Sequence, residues 1–194
     1  MTYTSPTEMY ALVGRMIADW NSLEADMVEM IAVVSGAAET TNILTAHMGS
    51  QGICNSLKAL AIGRLPKDVA DHVLHAVDVF EQLRSYRNQF VHAITAVISD
   101  GPEAAAMTHG RRVTARGEVL VDRGWLHRAE LERMMASQSD LSGYFTYLRL
   151  HVRRSLDKTF EPPAMFRHWP PEKIGIPPAL SSRWEADRPA DQAG

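Results

Sequence analysis

Apolar residues recur at steps of three and four from Met9 through Leu12, Val13, Met16, Ile17, Trp20, Leu23, Met27, Ile31 and Val34. That spacing lines one face of a helix. Ser5 offers a cap, Pro6 suits a first helical position, and Glu8 completes a capping box. Gly36 offers a left-handed end. The pattern predicts a helix over 6–35. A second helical stretch, 39–64, is interrupted. Ile43, Leu44 and Met48 form one short stripe, and Gly49-Ser50-Gln51-Gly52 breaks it because two glycines weaken a helix. Ile53, Leu57, Leu60 and Ala61 resume the stripe before Pro66 closes it. A third helix is predicted from Lys67 to about Val97, on Val73, Leu74, Val77, Phe80, Leu83, Phe90, Val91, Ile94 and Val97. A fourth spans 127–158 on Leu131, Met134, Met135, Leu141, Phe145, Leu148, Val152 and Leu156, with Ser139 or Ser142-Gly143 as a candidate break.

The remaining stretches follow other rules. Asp100-Gly101-Pro102 signals a turn. Ala104–Thr114 and Glu118–Val121 are short β-compatible runs around Arg116-Gly117, and predict a small hairpin. Seven of the ten prolines fall after Phe160, which bars a regular helix or central strand there. An extended, polyproline-like tail is expected, pinned in places by Phe166, Trp169, Ile174, Ile176 and Trp184. The fold class predicted is all-α: an antiparallel four-helix bundle over 1–160, with a small β-hairpin insertion before the last helix and an extended Pro-rich tail over 161–194.

Composition narrows the functional classes. A chain of 194 residues buries roughly 70% of its unfolded surface, so disulfides and metals are not needed for folding. The single cysteine, Cys54, reads as a small buried hydrophobe rather than a nucleophile. Its solitude fits a reducing compartment, and a cytoplasmic location is expected. The first residues, Met-Thr-Tyr-Thr-Ser-Pro, lack the basic start and apolar core of a signal peptide. No run of about 18 apolar residues is present, so no membrane span is expected. Net charge is −3, so any nucleic-acid surface must be a local patch. The sequence holds no Walker loop, no GxGxxG, no GxSxG and no CxxC pair, and no cofactor or metal is expected.

The chemistry concentrates on the third helix. Glu81, Ser85, Asn88, His92 and Thr95 follow at steps of three and four and form a polar stripe. Arg87 instead falls on the apolar stripe with Phe80, Leu83, Val91 and Ile94. A cation there must reach a carboxylate, a ligand anion or solvent, since an unpaired buried charge is costly. Tyr86-Arg87-Asn88-Gln89-Phe90-Val91-His92 resembles the Arg-Asn-x-x-x-His signature of HEPN domains, in the third helix of a four-helix bundle. The resemblance covers the motif and the helix order over about 6–158, not the tail, and the hairpin matches only loosely. It implies a metal-independent endoribonuclease of toxin, phage-defence or RNA-processing type, working as a homodimer that joins two motifs at one cleft. It implies Arg87, Asn88 and His92 as catalytic. One HEPN subgroup has a tyrosine two residues after the histidine, where this chain has Ile94, so that subgroup is not indicated.

Those three residues suit the chemistry in their own right. Metal-free RNA cleavage is attack by a 2′-hydroxyl on the adjacent phosphorus. A histidine exchanges protons at neutral pH, and an arginine fork matches the charge that grows on the phosphorane. Asn88, one helical turn from His92, can orient it or a phosphate oxygen. The bland alternative pairs Arg87 with Glu24 or Asp19 and leaves Asn88 and His92 to ordinary helix–helix hydrogen bonds. A second functional class is a non-catalytic dimeric module that binds RNA, or a protein partner such as an antitoxin through 161–194.

Arg84, Arg111, Arg112 and Arg116 are candidate RNA-binding cations, with Arg123 and Arg128 nearby. Around the hairpin a solvated loop is the plainer explanation, and Arg149, Arg153 and Arg154 follow the same logic. His72 and His75 have a spacing metals can use, but no ligand partner is evident and a solvated face is expected.

Overall fold

The computed structural model describes residues 6–91, 94–98, 105–113, 119–177 and 185–186. These residues are mostly helical, in five α-helices: α1 (Pro6–Ser35), α2 (Ala38–Thr45), α3 (Ser50–Arg64), α4 (Lys67–Val91) and α5 (Arg128–Leu156). Four strands accompany them: β1 (Ile94–Ile98), β2 (Ala105–Val113), β3 (Val119–His127) and β4 (Glu185–Ala186). The chain forms two compact units. One holds 18–84 and 135–177, and the other holds 1–17, 85–134 and 178–194.

The first unit is a helical core. Trp20, Leu23, Met27, Met30 and Val34 of α1 are buried with Ile53, Cys54, Leu57 and Ala61 of α3. Val73, Val77, Phe80 and Leu83 of α4 join Leu141, Phe145, Leu148 and Val152 of α5 in the same core. Trp20 and Phe80 lie ring to ring at 4.6 Å, the tilted geometry aromatic quadrupoles favour. Polar links tie the same helices at their margins. Ser142 Oγ donates to Asp26 Oδ2 at 2.8 Å, and Arg149 pairs with Asp26 at 3.1 Å and with Glu29. Lys58 bridges Asp78 at 3.1 Å and Glu81 at 2.8 Å.

In the other unit the strands form one sheet in the order β1-β2-β3-β4. β2 and β3 pair antiparallel from Ala105↔His127 to Val113↔Val119. β1 pairs with β2 through an irregularity between Ile94 and Ala96, and β4 meets β3 at Asp122↔Ala186.

Several boundaries correct the sequence pattern. Helix α1 ends where Gly36 takes φ 70°, a region open to glycine at no steric cost. The Ser5 cap lies outside the described residues. Helix α3 starts at Ser50 and runs through Gly52, so the interruption falls at 46–49. Helix α4 stops at Val91 instead of reaching Val97, and Ile94-Thr95-Ala96-Val97-Ile98 is a strand. Four of those five side chains are β-branched, stiff at χ1 and suited to a pleat. Helix α5 passes unbroken through Ser139, Ser142 and Gly143.

Candidate functional site

The last two turns of α4 carry the arginines that the sequence singles out. Arg87 is half-buried, and its Nη1 donates to Asn88 Oδ1 at 3.1 Å. Its Nε is buried and meets no acceptor among the described residues. Glu24, a carboxylate considered as its partner, accepts from Ser50 Oγ. Asn88 is exposed, and its amide nitrogen has no acceptor among the described residues. One turn earlier, Arg84 Nη2 donates to Gln51 Oε1, while its Nε is also buried and has no acceptor among the described residues. Gln51 itself donates to Asn55 Oδ1 at 3.2 Å and to Glu81 Oε1 at 3.4 Å. Thus Arg84 is steadied by α3, and among the described residues Arg87 bonds to its neighbour Asn88.

His92 and Arg116 lie outside the described residues. Arg111 and Arg112 occupy β2 opposite Val121 and Leu120.

Cys54 is fully buried, and desolvation, with Glu81 adding to it, pushes its thiol up to about 11. It stays protonated at neutral pH and is no nucleophile. No group of three or more His, Cys, Asp or Glu that could hold a metal ion occurs among the described residues. No helix among them is long and apolar enough to cross a membrane.

His72 and His75 depart from the expected solvated face. His72 is buried, with Nδ1 2.6 Å from the Tyr144 hydroxyl. His75 Nε2 donates to the carbonyl of Ile174 at 2.8 Å, and His151 Nε2 donates to the carbonyl of Phe166 at 2.5 Å. Trp169 lies 4.6 Å from the His151 ring and 4.9 Å from the His72 ring, and its Nε1 donates to Asp68 Oδ2 at 3.3 Å. Three histidines therefore hold the proline-rich segment against α4 and α5. The segment has one 3₁₀ turn, Ala164–Phe166, and no other regular structure through Pro177. Burial lowers the pKa of both His72 and His151, and it pushes Tyr144 up to about 12. A neutral His72 can then accept the phenolic proton at Nδ1. A signal for this was present: His72 is three residues from Val69 and four from Ala76, both buried on α4. The groups that meet them, the Trp169 ring and the Ile174 carbonyl, come from about a hundred residues downstream, which a wheel of one helix does not register.

The three arginines near the end of α5 differ in their surroundings. Arg149 is taken by Asp26 and Glu29, and Arg153 lies 4.3 Å over the Phe160 ring. Arg154 is exposed and has no carboxylate partner among the described residues.

Compared with protein-family models, with curated proteins and with solved structures, the chain matches none.

Proposed function

We propose that this chain is a metal-independent endoribonuclease of the HEPN type, with α1, α3, α4 and α5 as an antiparallel four-helix bundle and a homodimer as the working form. The observation that carries the proposal is Arg87: a half-buried guanidinium whose Nε meets no acceptor within the described residues. An unsatisfied buried donor costs about 1–3 kcal/mol, and more when charged. Such a group is suited to an anion that arrives from outside, and a phosphate offers its fork two oxygens.

In this mechanism the Arg87 fork neutralises the charge that develops on the phosphorane during attack by the 2′-hydroxyl. Asn88, already accepting from Arg87 Nη1, holds that fork in orientation and presents its amide to a phosphate oxygen. His92 moves the proton, and the second copy of His92 in the dimer supplies the complementary acid or base. Arg84, steadied by Gln51, extends the cationic line one turn back along α4, with Arg111, Arg112 and Arg116 as further phosphate contacts. No cofactor is required. Such an activity suits a toxin or phage-defence role in the cytoplasm.

A non-cleaving binding module is the second reading. It is favoured by large apolar side chains left in solvent, Ile43 at 67%, Leu44 at 59% and Ile62 at 69% exposed. The two readings separate on substitution. For the ribonuclease, His92→Ala lowers single-turnover RNA cleavage by about 10²–10⁴-fold while circular dichroism and the unfolding midpoint stay unchanged. Equal cleavage by His92→Ala and the parent protein would contradict it.

A further inference from the structure

Beside the tail-binding histidines, the helical unit contains an open cleft of about 350 Å³. Its walls come from the start of α4, the end of α5 and the proline-rich segment. Arg154, Lys158 and Arg167 line it, against one carboxylate, Asp68. Asp68 accepts from the Trp169 indole, and Arg167 pairs loosely with Glu161 at 3.6 Å. Arg154 and Lys158 have no carboxylate partner among the described residues. The end of a helix attracts cations by its dipole, and that alone explains Arg153 and Arg154. It does not explain Arg167, which comes from a separate segment and faces the same cleft.

We infer that this cleft binds a small ligand bearing a terminal phosphate, a phosphomonoester or a pyrophosphate, with Arg154, Lys158 and Arg167 on the phosphate oxygens and Trp169 beside the organic part. Three cations from two segments surround a tetrahedral anion more completely than a planar carboxylate, which has only two oxygens to offer. Arg154 and Lys158, which no carboxylate among the described residues pairs, offer two charges that suit a dianion better than a phosphodiester. The volume lies at the small end of ligand pockets. The inference is independent of RNA cleavage, because none of its residues belongs to the Arg87 motif.

His151 reports on occupancy. It lines the cleft, and burial holds its pKa below the ordinary histidine value, with Arg154 acting in the same direction. A dianion bound at Arg154 reverses that influence, and the His151 titration moves up.

The test is calorimetry on the full-length protein with pyrophosphate, adenosine 5′-monophosphate, adenosine and the dinucleoside phosphodiester ApA. It is paired with NMR titration of the His151 ring. Pyrophosphate and the monophosphate should bind and raise the His151 pKa, and adenosine should do neither. Arg154→Gln combined with Lys158→Gln should weaken binding by about tenfold or more. Both side chains are exposed, so the unfolding midpoint should hold. Absence of binding, equal binding by adenosine, or equal affinity in the double variant would overturn the inference. Affinity for ApA equal to that for the monophosphate would assign the cleft to a nucleic-acid backbone and overturn it as a small-ligand site.

Discussion

The Nδ1 atom of His72 and the hydroxyl of Tyr144 are 2.6 Å apart across 72 residues of sequence, and both side chains are buried. Each is the other's polar partner between α4 and α5. Tyr144→Phe removes the hydroxyl and leaves a buried ring nitrogen unsatisfied, which costs about 1–3 kcal/mol. In a chain of this length each kcal/mol lowers the melting temperature by about 2–4 °C. Thermal unfolding should show that drop, and an unchanged midpoint would mean that the bond contributes nothing.

Acid should weaken the helical unit through the same cluster. Burial lowers the pKa of His72 and His151 in the folded protein. The unfolded chain, titrating at about 6.5, then binds protons more readily. Their contribution is fully present above pH about 6.5 and is lost as pH falls toward the folded values. The urea midpoint should decline from pH 7 to pH 5, and less steeply in His151→Gln. A midpoint that rose over that range would reverse the sign and refute the assignment.

The ion pairs should differ in worth. Arg149 and Asp26 are 21% and 13% exposed, and Ser142 holds the same carboxylate. Arg149→Met should cost about 1–3 kcal/mol, because a largely desolvated carboxylate loses its cation. Arg128 and Glu132 form an exposed pair one turn apart that solvent screens, so Arg128→Met should cost much less. Denaturant titrations of Arg149→Met and Arg128→Met should separate them, and equal losses would contradict this ranking.

Much of the helical framework was legible because it rests on local periodicity. Pro6–Ser35 follows its apolar steps to the Gly36 end. What the pattern missed was decided elsewhere. The third helix gives way before Ile94 because β-branched residues at apolar spacing satisfy a strand as well as a helix. His72 and His75 looked solvated because Trp169 and Ile174, which cover them, are remote in sequence. At the motif, sequence alone marked Arg87 as a cation on an apolar stripe. The position of its Nε, buried and without an acceptor among the described residues, needed the fold.

Geometry at Arg87 bears on its replacement by lysine. The fork donates to Asn88 through one nitrogen and has others to offer a phosphate. A lysine keeps the charge but loses that planarity. On the ribonuclease proposal, Arg87→Lys should therefore lose about 10²–10³-fold in cleavage rate. Near-normal rates in Arg87→Lys would reduce Arg87 to a point charge.

The most direct test is the chemistry of the cut ends. Purified protein would be incubated with mixed tRNA, rRNA and mRNA in excess EDTA, beside His92→Ala and Arg87→Ala. Cleavage that persists under chelation, leaves 2′,3′-cyclic phosphate ends and disappears in both variants is the expected result. Intact RNA with the folded parent protein, or cleavage undiminished in both variants, would contradict a ribonuclease centred on Arg87 and His92.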